Sequence, residues 1–244
     1  MAMDTQKILN NTQKKLQQLL DLIFPPQCGG CRRSGSVLCT SCTTQFIPIH
    51  PPYCPHCNSP YAPDKNFQRC SYHKPCLTGL RAPYAFIEPL RSCIHSLKYR
   101  GNTRLALPLG LLLAKAYRAS NIQADIIIPV PLHPERQRER GYNQAHLLAK
   151  VCAQDVGVPL NTSILHRSRA TQKQTQLAPH QRYSNVAEAF CCSSPIATKS
   201  LVERKVVGII DDVSTTGATL EACAAPLFAA GASEVWGLVL AQRL

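Results

Sequence analysis

The chain has 244 residues, 45% apolar and 17% charged, the ordinary proportions of a soluble protein with one medium domain and a smaller module. Its formal charge of +13 favours anionic partners: nucleotides, phosphorylated sugars, nucleic acid or an anionic membrane surface. The longest aliphatic stretch, Leu105–Ala114, is too short to cross a bilayer, which excludes a transmembrane segment.

Residues 1–24 are expected to form an amphipathic helix packed on its own protein. Leu16, Leu19, Leu20 and Ile23 recur at helical spacing, Lys14 and Lys15 fall off that stripe, and Pro25-Pro26 stops the helix. Residues 25–80 change character, being rich in Cys, Pro, Gly and Ser. Residues 81–244 alternate strands with helices. RAPYAF (81–86) reads as a strand, then Pro89–Tyr99 and Leu105–Ala119 as helices. Asp125–Val130 is a short buried strand and Gln144–Asp155 a helix. Val206–Ile210 is an all-apolar strand, Gly217–Ala230 a helix, and Val235–Leu240 a final strand. Apolar strands separated by helices predict a parallel sheet covered on both faces. Arg167–Arg182 is polar and without periodicity, and is expected to be a mobile loop.

Thirteen cysteines are unusual, and eight of them fall between Cys28 and Cys76. Residues 1–23 show no apolar signal core or cleavage site, so the paired spacing reads as metal binding in a reducing compartment. The protein is therefore expected in the cytoplasm. Cys28-Gly-Gly-Cys31, Cys39-Thr-Ser-Cys42 and Cys54-Pro-His-Cys57 each put two thiolates on one tight turn, and two such turns make a tetrahedral sulfur site for structural zinc. Pairing the first two gives one site, although the first could share its metal with the third. Cys54 and Cys57 would join Cys70 with His73, or with Cys76, or form an incomplete second site. No coordination position would remain open for catalysis.

Val206–Ile210 leads into Asp211-Asp212 and then Val213-Ser214-Thr215-Thr216-Gly217-Ala218-Thr219. A turn rich in backbone N–H groups and hydroxyls, running into a helix N-terminus at the end of a parallel strand, suits a phosphate dianion. Gly217 lets the backbone come close. Two carboxylates beside such a cradle would repel a bare anion. They make sense if a diol lies next to the phosphate, so the ligand is expected to be a phosphorylated sugar.

This segment resembles the signature of the type I phosphoribosyltransferases, which bind 5-phosphoribosyl-1-pyrophosphate (PRPP). Leu97-Lys98-Tyr99-Arg100-Gly101, the stretch IIPVPLHPERQRERGYNQA (127–145), RATQKQTQL (169–177), Arg182 and Asn185 follow in order behind the cysteine pairs. Together they resemble the ComF family, including its GntX-like members, from about Ile23 to Leu244. The departure is a missing fourth cysteine pair. The resemblance implies a parallel α/β transferase sheet flanked by helices, behind a double zinc ribbon, binding PRPP with Mg²⁺. Asp211 and Asp212, as catalytic residues, would hold the ribose hydroxyls, and Ser214 to Thr219 the 5-phosphate. Pro129, Val130, Pro131 and Leu132 would form the turn that receives pyrophosphate. Arg136, Arg138, Arg140 and the 167–182 loop would neutralise it, the loop acting as a lid. No base-binding feature is recognisable in the sequence, although Tyr142 or Phe190 could stack on an acceptor base. Three functions follow: transfer of phosphoribose to an unidentified acceptor, non-catalytic sensing of PRPP, or DNA handling in competence, with single-stranded DNA and the uptake machinery as partners.

Overall fold

The structure, a computed structural model, describes residues 21–22, 24–54, 56–60, 77–169, 186 and 188–244. The expected helix over residues 1–24 lies outside them apart from Asp21, Leu22 and Phe24.

In the cysteine-rich segment the regular element is a one-turn helix, α1 (Thr40–Thr43). Two short strands, β1 (Gly79–Arg81) and β2 (Tyr84–Ala85), follow. Helices α2 (Leu90–Tyr99) and α3 (Ala106–Ala119) lead to β3 (Ile126–Pro129). Then come α4 (Pro134–Arg140), α5 (Gln144–Val156) and the hairpin of β4 (Leu165–Arg167) with β5 (Phe190–Cys192). The chain closes through α6 (Pro195–Val202), β6 (Val206–Ser214), α7 (Ala218–Ala229) and β7 (Glu234–Gln242).

The main sheet is parallel throughout, in the order β1-β7-β6-β3, with β2 also on β7. Its central strands are apolar on both sides because both sides are covered. On one face Ile126, Ile128, Val207, Ile209, Val235 and Val239 pack with Leu220 and Leu227 of α7. On the other, Ile127, Ile210, Leu238 and Leu240 pack against Leu109 and Leu113 of α3 and Leu148 of α5.

The expected strand over 81–86 is two fragments, because Pro83 interrupts it with no N–H to donate. β4, β5, α4 and α6 were not legible as elements. They are short, and their residues carry little periodicity. The strand expected to stop at Ile210 continues to Ser214. β3 ends opposite Ile210, whereas β7 keeps pairing with β6 from Asp211 to Ser214. The acid pair thus remains in regular strand geometry, but with the β3 side of β6 open. That opening is where the site lies.

The ribbon segment is locked onto the sheet. Asn58 is 1% exposed, and its Nδ2 donates to the Ala82 carbonyl (3.1 Å) and to Gln242 Oε1 (3.2 Å). Gln242 Nε2 in turn donates to the Cys57 carbonyl at 2.7 Å. Beside them the Arg81 guanidinium lies between the rings of Tyr53 and Trp236, 5.6 and 4.8 Å from their centres.

α3 and α5 approach so closely that a methyl group on Gly110 would sit 2.6 Å from Val151 Cβ. Gly110→Ala should therefore cost about 1–3 kcal/mol by forcing the helices apart, despite alanine's better helix propensity. Urea unfolding checks this, and Val151→Ala in the same chain should recover part of the loss.

Candidate functional site

The first two cysteine pairs converge. The sulfurs of Cys28, Cys31, Cys39 and Cys42 all lie within 4.8 Å of one another, and Cys31 Sγ is 3.7 Å from Cys39 Sγ. A tetrahedral zinc with bonds of about 2.3 Å requires sulfurs about 3.8 Å apart, so these residues fit the ion. The first knuckle therefore pairs with the second, not with the third. Burial works against the Cys28 thiolate, but the N–H groups of Cys39, Cys31 and Gly30 prevail and bring its pKa to about 6. Cys42 is pushed up by burial and by hydrogen bonding with the other three thiols.

The knuckle turn is built the same way twice. Arg32 N–H donates to Cys28 O and Cys28 N–H to Arg33 O; Asn58 N–H donates to Cys54 O and Cys54 N–H to Ser59 O. In both turns the residue after the second cysteine is left-handed, with φ +63° at Arg32 and +56° at Asn58. Cys54 and Cys57 thus repeat the geometry of the first knuckle. The further ligands weighed for them, Cys70, His73 and Cys76, lie outside the described residues.

At the carboxyl ends of β3 and β6 lies a cleft of about 440 Å³. Asp211, Asp212, Val213 and Thr219 line it from the acid motif, Val130, Pro131 and Leu132 from the turn after β3, and Arg136 and Arg140 from α4. Pro129 is buried at the end of β3. Val130 N–H donates to Ile210 O, and Asn143 Nδ2 donates to the Val130 carbonyl, which fixes the turn against β6. Thr215, Thr216 and Gly217 form the bend between strand and helix, Ala218 opens α7, and none of the four lines the cleft. Gly217 has φ +83°, so its first requirement is the left-handed backbone. Ser214 is buried, and its Oγ has no hydrogen-bond partner among the described residues.

The basic side chains separate by position. Arg140 stacks over the Tyr99 ring (5.2 Å) and donates to Gln144. Arg138 is exposed and outside the cleft lining. Arg167, expected at the start of a mobile loop, is instead in β4 and 9% exposed, with its guanidinium 5.3 Å over the Phe190 ring. Phe190 is consequently core beneath an arginine and cannot stack on a base. Tyr142 lines the cleft, its hydroxyl donating to the Leu97 carbonyl. The remaining loop residues, 170–182, lie outside the described residues, as does Asn185.

Lys98 was missed as a site residue although it stands in the quoted Leu97–Gly101 stretch. Its ammonium is 2.8 Å from Asp212 Oδ2, and the Asp212 side chain is 2% exposed. Burial would lower the pKa of Lys98, but Asp212 and Asp211 overcome that and hold it above the ordinary lysine value. Asp211 behaves oppositely. Burial, then the neighbouring Asp212, raise its carboxyl to about 8 against the pull of Lys98. The repulsion expected of two adjacent acids is thus relieved by one lysine and one retained proton. A lysine one position from a buried leucine on an amphipathic helix was the available signal.

Residues 19–77 match the Double zinc ribbon domain. Competence protein F of Haemophilus influenzae is 33% identical over 232 residues, covering 89% of this chain and 98% of that protein. The chain belongs to the Competence protein F family. DNA utilization protein YhgH of Salmonella typhimurium is 31% identical over 229 residues, with 89% and 98% covered. Among solved structures, glutamine phosphoribosylpyrophosphate (PRPP) amidotransferase from B. subtilis matches with a TM-score of 0.37 at 21% identity, over 57% of this chain and 26% of that one. As a member of the Competence protein F family, the chain joins a four-cysteine cluster to a parallel α/β sheet. Among its described residues no helix is long and apolar enough to cross a membrane.

Freshly prepared reduced protein should contain one to two zinc ions per chain by elemental analysis. Cys39→Ser should lower thermal stability, since removing a structural metal site removes folding free energy. The raised Asp211 carboxyl sets a pH dependence of the opposite sense to a salt-bridged acid. A group with a folded pKa of about 8 contributes stability that is fully present below its unfolded pKa near 4 and is lost as pH rises through about 8. The unliganded protein should therefore melt lower at pH 8 than at pH 6, and Asp211→Asn should flatten that difference.

Proposed function

We propose that the cleft binds PRPP and that the protein transfers its phosphoribosyl group to an acceptor, in the cytoplasm, in the service of DNA uptake. The observation that carries this reading is the acid pair and the Thr219 end of the phosphate turn facing the Val130–Leu132 turn, with Arg136, Arg140 and Arg167 around one cleft. A phosphorylated sugar needs the first pair, and a pyrophosphate leaving group needs the second set. The names of the relatives, competence and DNA utilization, support the link to DNA uptake.

In this reading Asp211 and Asp212 accept hydrogen bonds from the ribose hydroxyls, and the 5-phosphate rests at the Thr219 end of the turn, beside the N-terminus of α7. The bond from C1 to pyrophosphate breaks with its electrons leaving on oxygen, and the acceptor attacks the oxocarbenium-like carbon from the other face. Arg136, Arg140 and Arg167 stabilise the charge that develops on pyrophosphate. The carboxylate oxygens lining the cleft are donors of the hard type that suits Mg²⁺, which when bound would offset pyrophosphate charge. Lys98, 2.8 Å from Asp212 Oδ2, holds that side chain in place.

A non-catalytic PRPP sensor is the second reading. It is favoured by the engagement of the aromatic side chains expected to hold a base: Phe190 lies under Arg167, and the Tyr142 hydroxyl is bonded to Leu97. PRPP turnover with a panel of bases separates the two.

Calorimetric titration should detect PRPP binding in the presence of Mg²⁺. Asp211→Asn or Asp212→Asn should weaken it by roughly 1–3 kcal/mol while sparing a phosphomonoester that lacks the sugar. Gly217→Val should lose both ligands, because a branched side chain cannot comfortably adopt φ +83° and the turn must reshape. Acid variants that bind PRPP like the wild type would refute the assignment.

A further inference from the structure

A second cavity, of about 370 Å³, lies at the seam between the first zinc knuckle and the carboxyl end of α2. It falls in the range of small-ligand sites, about 300–1,000 Å³. Arg32 enters from the knuckle, and Arg100 and Arg104 from the segment after α2, while no carboxylate is among the lining residues. Arg104 is held by Asp21 through two hydrogen bonds of 2.7 and 2.6 Å. Neither Arg32 nor Arg100 has an ion pair among the described residues. Both guanidiniums are exposed, so solvent screens their repulsion, and an anion seated in the cavity would be held from both modules.

The backbone supplies an independent observation. The residue after the second knuckle cysteine must be left-handed. In the third knuckle that place is taken by asparagine, which tolerates the conformation; in the first it is taken by Arg32 at φ +63°. Glycine or asparagine would meet the turn's needs with less strain, so the guanidinium is present at a conformational cost. Arg100 is also fixed, by its N–H bond to Ser96 O at the end of α2. Pro26 and Val37 give the cavity an apolar wall, and Gln27 and Asn102 give it amides. A phosphate joined to a flat, weakly polar ring matches that set. We infer that this seam is a second ligand site, separate from the cleft, and that it takes a nucleoside phosphate, either a free nucleotide or one residue of a single strand.

The test uses full-length, zinc-loaded protein and a 5′-phosphorylated, 3′-fluorescent octathymidylate, followed by anisotropy. The wild type should bind the strand, and thymidine without a phosphate should not compete. Competition by dTMP assigns the site to free nucleotides, and its failure assigns it to strands. Arg32→Gly relieves the backbone while deleting the charge. It should weaken binding about tenfold, the loss of a charge-assisted contact, with a melting temperature no lower than wild type and PRPP titration unchanged. Arg100→Gln should weaken binding from the other wall, and Arg33→Gln, outside the cavity, should not. Absence of binding by both probes, Arg32→Gly binding like the wild type, Arg33→Gln being as damaging, or PRPP displacing the strand by occupying the same site would each overturn the inference.

Discussion

The contact between Lys98 and Asp212 ties the end of α2 to the open edge of β6, and much of the cleft follows from it. Two consecutive acids in a strand must point to opposite sides of the sheet. Asp212 is therefore turned into a nearly closed environment, and an ion there needs a partner held at short range. Lys98 can serve only if α2 ends at that point. The chain ensures this with Gly101, whose positive φ ends the helix, and with Tyr142 holding the Leu97 carbonyl from the other side. Asp211, left without its own cation, keeps a proton instead. The site thus carries less negative charge than its sequence suggests, which eases the approach of a phosphorylated ligand.

The same helix connects the cleft with the metal cluster. A methyl group on Gly30 would lie 2.8 Å from Cys42 Sγ and 3.2 Å from Pro89, the residue before α2. Gly29 is equally close to Leu105. The knuckle is therefore packed against the start of α2 and the turn before α3, while Lys98 at the other end of α2 meets Asp212. Zinc in this fold holds more than a peripheral ornament in shape: the surfaces it organises bear on the helix that completes the sugar site.

The parallel sheet, its flanking helices and the pairing of the first two knuckles were legible because each rests on a local pattern. VVGII and DIIIPV are apolar runs of strand length, and C-x-x-C has little other use at that density. The acids and the turn after β3 were legible because strand ends in a parallel sheet are where ligands gather. What escaped depended on long-range packing. Nothing local shows that Lys98 reaches a carboxylate 114 positions on, or that Phe190 is roofed by Arg167. The hairpin of β4 and β5 was lost because its strands have three residues each and more than twenty intervene. The continuation of β6 through its own acids was hidden as well, since charged residues ordinarily end a buried strand and here β7 carries it on.

The bond between Gln242 and the Cys57 carbonyl spans 185 positions. Asn58, which shares that junction, is made long before the strand that receives it. One acceptor of its side chain, the Ala82 carbonyl, is 24 positions on, but the other, Gln242, is in place only once β7 joins the sheet. Closing so large a loop is entropically costly, and contacts of this separation form late. The ribbon meets α2 and the turn before α3 through neighbours nearer in sequence, but its Asn58 junction is completed by the last strand of the fold.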